Sequence, residues 1–285
     1  MSRFVDLLVI VLVVLVSSCR SNDSNSENRK DYDNIEISAK VGQRKIFYRF
    51  PAPNDIISYI KSDKLSYKKE LLSQTEYADK YIDNRLQYFN LGVYSADVAF
   101  ITVFKTLSEA GEYFNTIEKL SYDLGLSPVF NDNMRNRIRS NQNNIDSLSN
   151  IARESYINMV KHLTNIGNER ELSIISAGGY VEVIYLATAQ VDDIEANAEL
   201  VRKIYDQRYG LENLIQFMND HVDSPWMEML QKDLINIYDN LELYSEKENN
   251  QETRSSSQTN STNQANYEQL KKVVGQVRTK YTSPY

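Results

Sequence analysis

Cysteine occurs once in the 285 residues, histidine twice and tryptophan once. A single thiol excludes an intrachain disulfide, so the fold must hold by packing. The two histidines, His162 and His221, each have a methionine three residues earlier (Met159, Met218), which rules out a Glu-x-x-His metal pair. The chain has no Gly-x-Ser-x-Gly, no phosphate-cradling glycine loop and no calcium-type acidic loop. Positive charge is also short: 32 Lys+Arg against 39 Asp+Glu give a net charge of −7 with no compensating basic patch. That sign opposes phosphate backbones, so nucleic acid is not an expected partner. These absences leave no catalytic residue, no metal site and no cofactor to name, and the chain is expected not to be an enzyme.

Long apolar runs are missing too, with one informative exception near the start. Leu7 to Val16 is apolar throughout, yet it is about half of the ~20 residues a spanning helix needs. It is the length of a signal-peptide core. It leads into Leu15-Val16-Ser17-Ser18-Cys19, where small residues before a lone cysteine resemble the lipobox of bacterial lipoproteins. The resemblance implies removal of residues 1–18 and lipidation of Cys19, an acylation of the palmitate type, with the membrane as partner through that lipid. Removal takes away Arg3 and Asp6 together and leaves the net charge unchanged. The expected location is the cell envelope, with the outer membrane favoured because Arg20, not Asp, follows the cysteine.

Residues 19–33 read as a disordered tether, because after Cys19 the stretch is mainly Ser, Asn, Asp, Glu, Lys and Arg with almost nothing apolar. Over 34–50 the alternation of Ile35, Ile37, Ala39 and Val41, then Ile46, Tyr48 and Phe50, around Gly42-Gln43, marks a candidate β-hairpin. Residues 51–245 read as a helical domain. Ile56, Ile57 and Ile60 follow Pro51 and Pro53. Tyr77, Tyr81, Ile82, Leu86 and Phe89 share one spacing, and Val93 to Leu107 another, with Asn90-Leu91-Gly92 as a joint or an irregularity within one helix. A segment through Leu120 stops at Gly125, ahead of Pro128. Short and long helices follow at Met134–Ile138 and Ile145–Leu163. Ile174 to Ala189 is apolar all round and reads as the most buried helix. Asp192-Asp193 caps a run to Met218, and Pro225 opens another through Leu241. Residues 246–263 read as a disordered linker before an amphipathic tail helix, 264–285, which carries Tyr267, Leu270, Val273, Val274, Val277 and Tyr281. The predicted class is all-α, a multi-helix bundle or stacked helical hairpins, with a short N-terminal hairpin as an addition.

Two carboxylates stand among apolar helical neighbours. Asp97 lies between Val93-Tyr94 and Phe100-Ile101, and Glu182 between Gly178-Gly179 and Tyr185-Leu186. Burial of an acid is costly unless it is satisfied. Asp97 and Glu182, with Tyr94, Tyr180 and Tyr185, are therefore either a ligand pocket or a structural hub fed by Tyr, Arg or Lys. Gly178 and Gly179 inside a helix cost roughly 1 kcal/mol each relative to Ala, which a close helix crossing would offset.

Asn90-Leu91-Gly92-Val93-Tyr94-Ser95-Ala96-Asp97, Leu120-Ser121-Tyr122-Asp123-Leu124-Gly125 and Ala177-Gly178-Gly179-Tyr180-Val181-Glu182-Val183-Ile184-Tyr185-Leu186-Ala187 together resemble an uncharacterised family of helical lipoproteins from Gram-negative bacteria. The likeness covers roughly Phe50 to Tyr244. Members of that family more often carry Trp at the position of Tyr180. The resemblance implies an envelope location and a helical core, and it carries no activity. The expected function is a lipid-anchored, non-catalytic binding or scaffolding component with an envelope protein as partner. The alternatives are a receptor for a small glycan or peptide ligand, using a tyrosine-lined pocket near Asp97 and Glu182, and a hydrolase using the paired carboxylates.

Overall fold

The computed structural model describes residues 34–41, 44–51, 65–104, 106–248 and 256–284. The leader, Cys19, the tether, Gly42-Gln43, the Ile56–Ile60 segment and residues 249–255 of the expected linker lie outside the described residues. The class is all-α. Strands β1 (Asn34–Val41) and β2 (Arg44–Pro51) pair antiparallel, Ile35 opposite Phe50 and Val41 opposite Arg44. The rest is nine α-helices among the described residues: α1 (Asn84–Val103), α2 (Leu107–Asp123), α3 (Asp132–Ser140), α4 (Ile145–Asn165), α5 (Glu169–Gln190), α6 (Ala198–Asp206), α7 (Arg208–Asn219), α8 (Pro225–Glu248) and α9 (Ser256–Thr282).

The core is organised by α1 crossing α5. Both are apolar on nearly every side, and both are buried along most of their length. Such a helix must be enclosed by others, because no face can be turned to water without loss. Helix α5 has the length and hydropathy of a membrane span, yet it is buried within the bundle. The crossing is backbone against backbone: a Cβ on Gly178 would stand 1.9 Å from the Phe89 carbonyl oxygen, and one on Gly92 1.9 Å from that of Ile175. Gly179 faces Gly92 at a looser 3.4 Å. Gly92 is therefore the third crossing glycine and not a joint, and α1 runs through Asn90-Leu91-Gly92 unbroken.

Local chemistry sets most helix ends. Gly125 adopts φ 74° after α2, with Leu126 N donating to Ser121 O at 2.7 Å and Gly125 N to Tyr122 O at 3.0 Å. That is the Schellman pattern. Gly167 repeats it after α4, at φ 76°. Two sequence expectations need correcting. Tyr77, Tyr81 and Ile82 are not on α1, because Thr75–Lys80 is a 3-10 turn and Asp83 caps α1 by accepting from Arg85 N at 2.8 Å. Ile82 is left 95% exposed. The run from Asp192 to Met218 is likewise not one helix. Asp193 accepts from Glu195 N and Ala196 N in a turn ahead of α6, and the chain breaks between α6 and α7 at Gln207.

The tail helix docks. α9 packs on α5, α8 and α1, burying Tyr267, Leu270, Val274, Val277 and Tyr281. The expected disordered linker over 246–263 needs correcting at both ends, because α8 runs to Glu248 and α9 already starts at Ser256, where packing of the stripe that follows extends the helix into polar sequence.

Candidate functional site

Asp97 on α1 and Glu182 on α5 converge one to two turns beyond the glycine crossing, and neither is exposed at all. The close approach of the two helices is what brings the carboxyl groups together. A third element closes the site: Arg278 of α9. Its Nε donates to Glu182 Oε2 at 2.6 Å and its Nη2 to Glu182 Oε1 at 2.9 Å. Nη2 also donates to the Leu71 carbonyl at 3.0 Å and to Ser73 Oγ at 2.9 Å. The guanidinium carbon lies over the Tyr185 ring, 4.1 Å from its centroid. Ser73 completes the circuit, its N–H donating to Asp97 Oδ2 at 3.2 Å.

Charge balance decides the protonation of this cluster. Two carboxyl groups share one guanidinium in an interior where an unpaired carboxylate is prohibitively costly. Arg278 engages both oxygens of Glu182, so the guanidinium is committed to that carboxyl group, and Asp97 keeps only the Ser73 N–H. Among the described residues Asp97 Oδ1 has no hydrogen-bond partner, and Glu182 is its neighbouring acid. Burial first, and the neighbouring Glu182 second, hold Asp97 well above the ordinary carboxylate range; Arg278 and the Ser73 N–H only partly oppose this. Burial alone would lower Arg278, but Glu182 beside it, with Asp97 behind, raises it above the usual guanidinium value.

The segment covering the site is strapped down by tyrosine hydroxyls. Tyr113 donates to Ser73 O at 2.8 Å and Tyr94 to Gln74 O at 2.8 Å, while Tyr81 donates to Thr282 O at 2.7 Å. Tyr67 donates to Glu109. Burial, ahead of any neighbouring charge, raises the pKa of Tyr67, Tyr81, Tyr94 and Tyr113, so all four remain donors.

Of the residues singled out from sequence, Asp97, Glu182, Tyr94 and Tyr185 come together here. Tyr180 does not: its hydroxyl donates to Gln207 O at 2.7 Å, at the junction of α6 and α7. Arg278 and Ser73 were not expected. The available signal for Arg278 was its place beside the apolar stripe of α9, four residues after Val274 and three before Tyr281. Ser73 carried none, since only the fold brings its backbone to Asp97. A separate apolar cavity of about 20 Å³, lined by Ser95, Phe114, Ile117, Met134 and Met159 among others, is on the scale of one water molecule. Among the described residues no cluster of His, Cys, Asp and Glu could hold a metal ion.

No protein-family model, curated protein or solved structure matches the chain.

Proposed function

We propose that the protein is a lipid-anchored component of the cell envelope whose helical domain acts by contact, as a binding or scaffolding element, and not by catalysis. The observation that carries this reading is the saturation of Glu182 by Arg278. An acid and base serving catalysis must face a substrate, whereas these two acids face each other and a guanidinium from the same chain. The convergence of Asp97 and Glu182 also meets the first requirement of the hydrolase and ligand-receptor readings. Full burial of both groups favours the structural role. The lipobox-like Leu15-Val16-Ser17-Ser18-Cys19 supplies the anchor. The polar stretch after it holds the domain away from the membrane.

Metabolic labelling with an alkyne fatty acid, combined with fractionation of wild type and Cys19→Ala, tests the anchor. The wild type is expected to be labelled and membrane-bound, and the variant unlabelled and released. An unlabelled wild type free of the membrane overturns it. Site-specific photocrosslinking from exposed Tyr122, Tyr209 and Leu243 in intact cells tests contact. A discrete adduct supports the reading, and none from any position over the uncrosslinked control overturns it.

A further inference from the structure

The surroundings of Arg278 have the make-up of a ligand site. A guanidinium is recognised by a planar carboxylate that takes two parallel N–H bonds, by further acceptors at its rim, and by an aromatic face. All three are present: both oxygens of Glu182, the Leu71 carbonyl and Ser73 Oγ, and the Tyr185 ring. They come from α5 and from the segment before α1, while the cation comes from α9, near the other end of the chain.

We infer that Glu182, Ser73, the Leu71 carbonyl and Tyr185, backed by Asp97, form a guanidinium-binding site whose occupant is the chain's own Arg278. Helix α9 is then a docked internal ligand as well as a core helix. Its apolar stripe supplies area, and its one arginine, mostly enclosed, supplies selection. Withdrawing Arg278 strands Glu182 and Ser73 Oγ at once, so opening of α9 and loss of charge balance are a single event. Lysine does not replace arginine here, because an ammonium has neither the two-point fork nor the weakly hydrated, delocalised cation that sits over Tyr185. The inference stands whether or not Cys19 carries lipid.

Chemical rescue of the full chain tests it. Arg278→Ala empties the site, and millimolar guanidinium is expected to raise its Tm saturably by at least about 2 °C, a shift readily measured for a domain of this size. Equal ammonium is expected to give no saturable rise. Wild type, with its site filled, and Arg278→Ala/Glu182→Gln, without the carboxylate, are expected to show none either. If Arg278→Ala does not fold, its refolding from urea is followed by the emission of Trp226, which lies 5.7 Å from Tyr281 of α9. Folded protein is then expected with guanidinium and not with ammonium. Equal effects of the two cations overturn the inference. An Arg278→Lys variant with wild-type Tm overturns it as well, because the site would then read charge alone.

Discussion

Arg278 and Glu182, 96 residues apart in sequence, form a two-point ion pair at 2.6 and 2.9 Å inside the bundle. The pair has a third member, Asp97, which burial and the neighbouring Glu182 hold well above the ordinary carboxylate range. The three residues are not equivalent, and their substitutions should differ accordingly.

Arg278→Ala and Glu182→Gln each leave a buried charge without its partner. Breaking a buried pair in this way costs about 3–5 kcal/mol. Asp97→Asn is expected to cost far less, under about 1 kcal/mol, because an amide replaces the protonated acid with nearly the same shape and can donate to Glu182. Urea unfolding followed at Trp226 ranks the three. A loss for Asp97→Asn as large as that for Glu182→Gln would show that Asp97 is not the neutral member.

The same asymmetry predicts a pH dependence. Asp97 keeps its proton in the folded state above the pH at which the unfolded chain releases it, near the ordinary value of 3.8. The native state then binds more protons than the unfolded state, so this contribution to stability is full below about 3.8 and declines as pH rises through the raised folded value. The difference in urea midpoint between wild type and Asp97→Asn should therefore shift steadily in favour of the variant from acid to alkaline pH. A constant difference would mean that Asp97 does not titrate with folding.

The glycine crossing gives a graded series. Gly178→Ala and Gly92→Ala place a Cβ 1.9 Å from a carbonyl oxygen of the facing helix. No rotamer relieves a clash with backbone, so α1 and α5 must separate, at a cost of about 3 kcal/mol or more. Gly179→Ala, at 3.4 Å, should be milder. Gly111→Ala on α2 and Gly275→Ala on α9 meet nothing within 4 Å, and each should gain about 0.5–1 kcal/mol from helix propensity. Thermal melts of the five variants check the order.

Asp83 supplies a smaller, local case. It caps α1 and also pairs with Arg85, whose side-chain hydrogen bond lowers the Asp83 pKa. Asp83→Ala should lose about 1 kcal/mol, and Asp83→Asn should retain most of the cap. Equal losses in urea unfolding would place the effect in the ion pair instead.

Much of the helical order was legible because its signals are local. Gly125 and Pro225 mark helix boundaries from their own backbone preferences, and the stripe from Tyr267 to Tyr281 announces a face that must be buried. Where two local signals competed, the sequence was ambiguous. Tyr77 to Phe89 has helical spacing, but Asp83 is a stronger cap than Tyr81 and Ile82 are helix residues, so the helix starts at Asn84. Gly92 can read as a break or as a contact surface, and only the presence of Gly178 and Gly179 opposite it makes it the latter.

By itself, the amino-acid pattern determined the helical class, the most buried helix and the two acids that need explanation, since periodicity and burial cost are properties of short segments. Tertiary structure alone decided that those acids meet, that Arg278 and Ser73 complete them, and that Tyr180 points elsewhere. An ion pair inside a bundle is chosen by which helices pack, and no spacing along the chain encodes a partner 96 residues away.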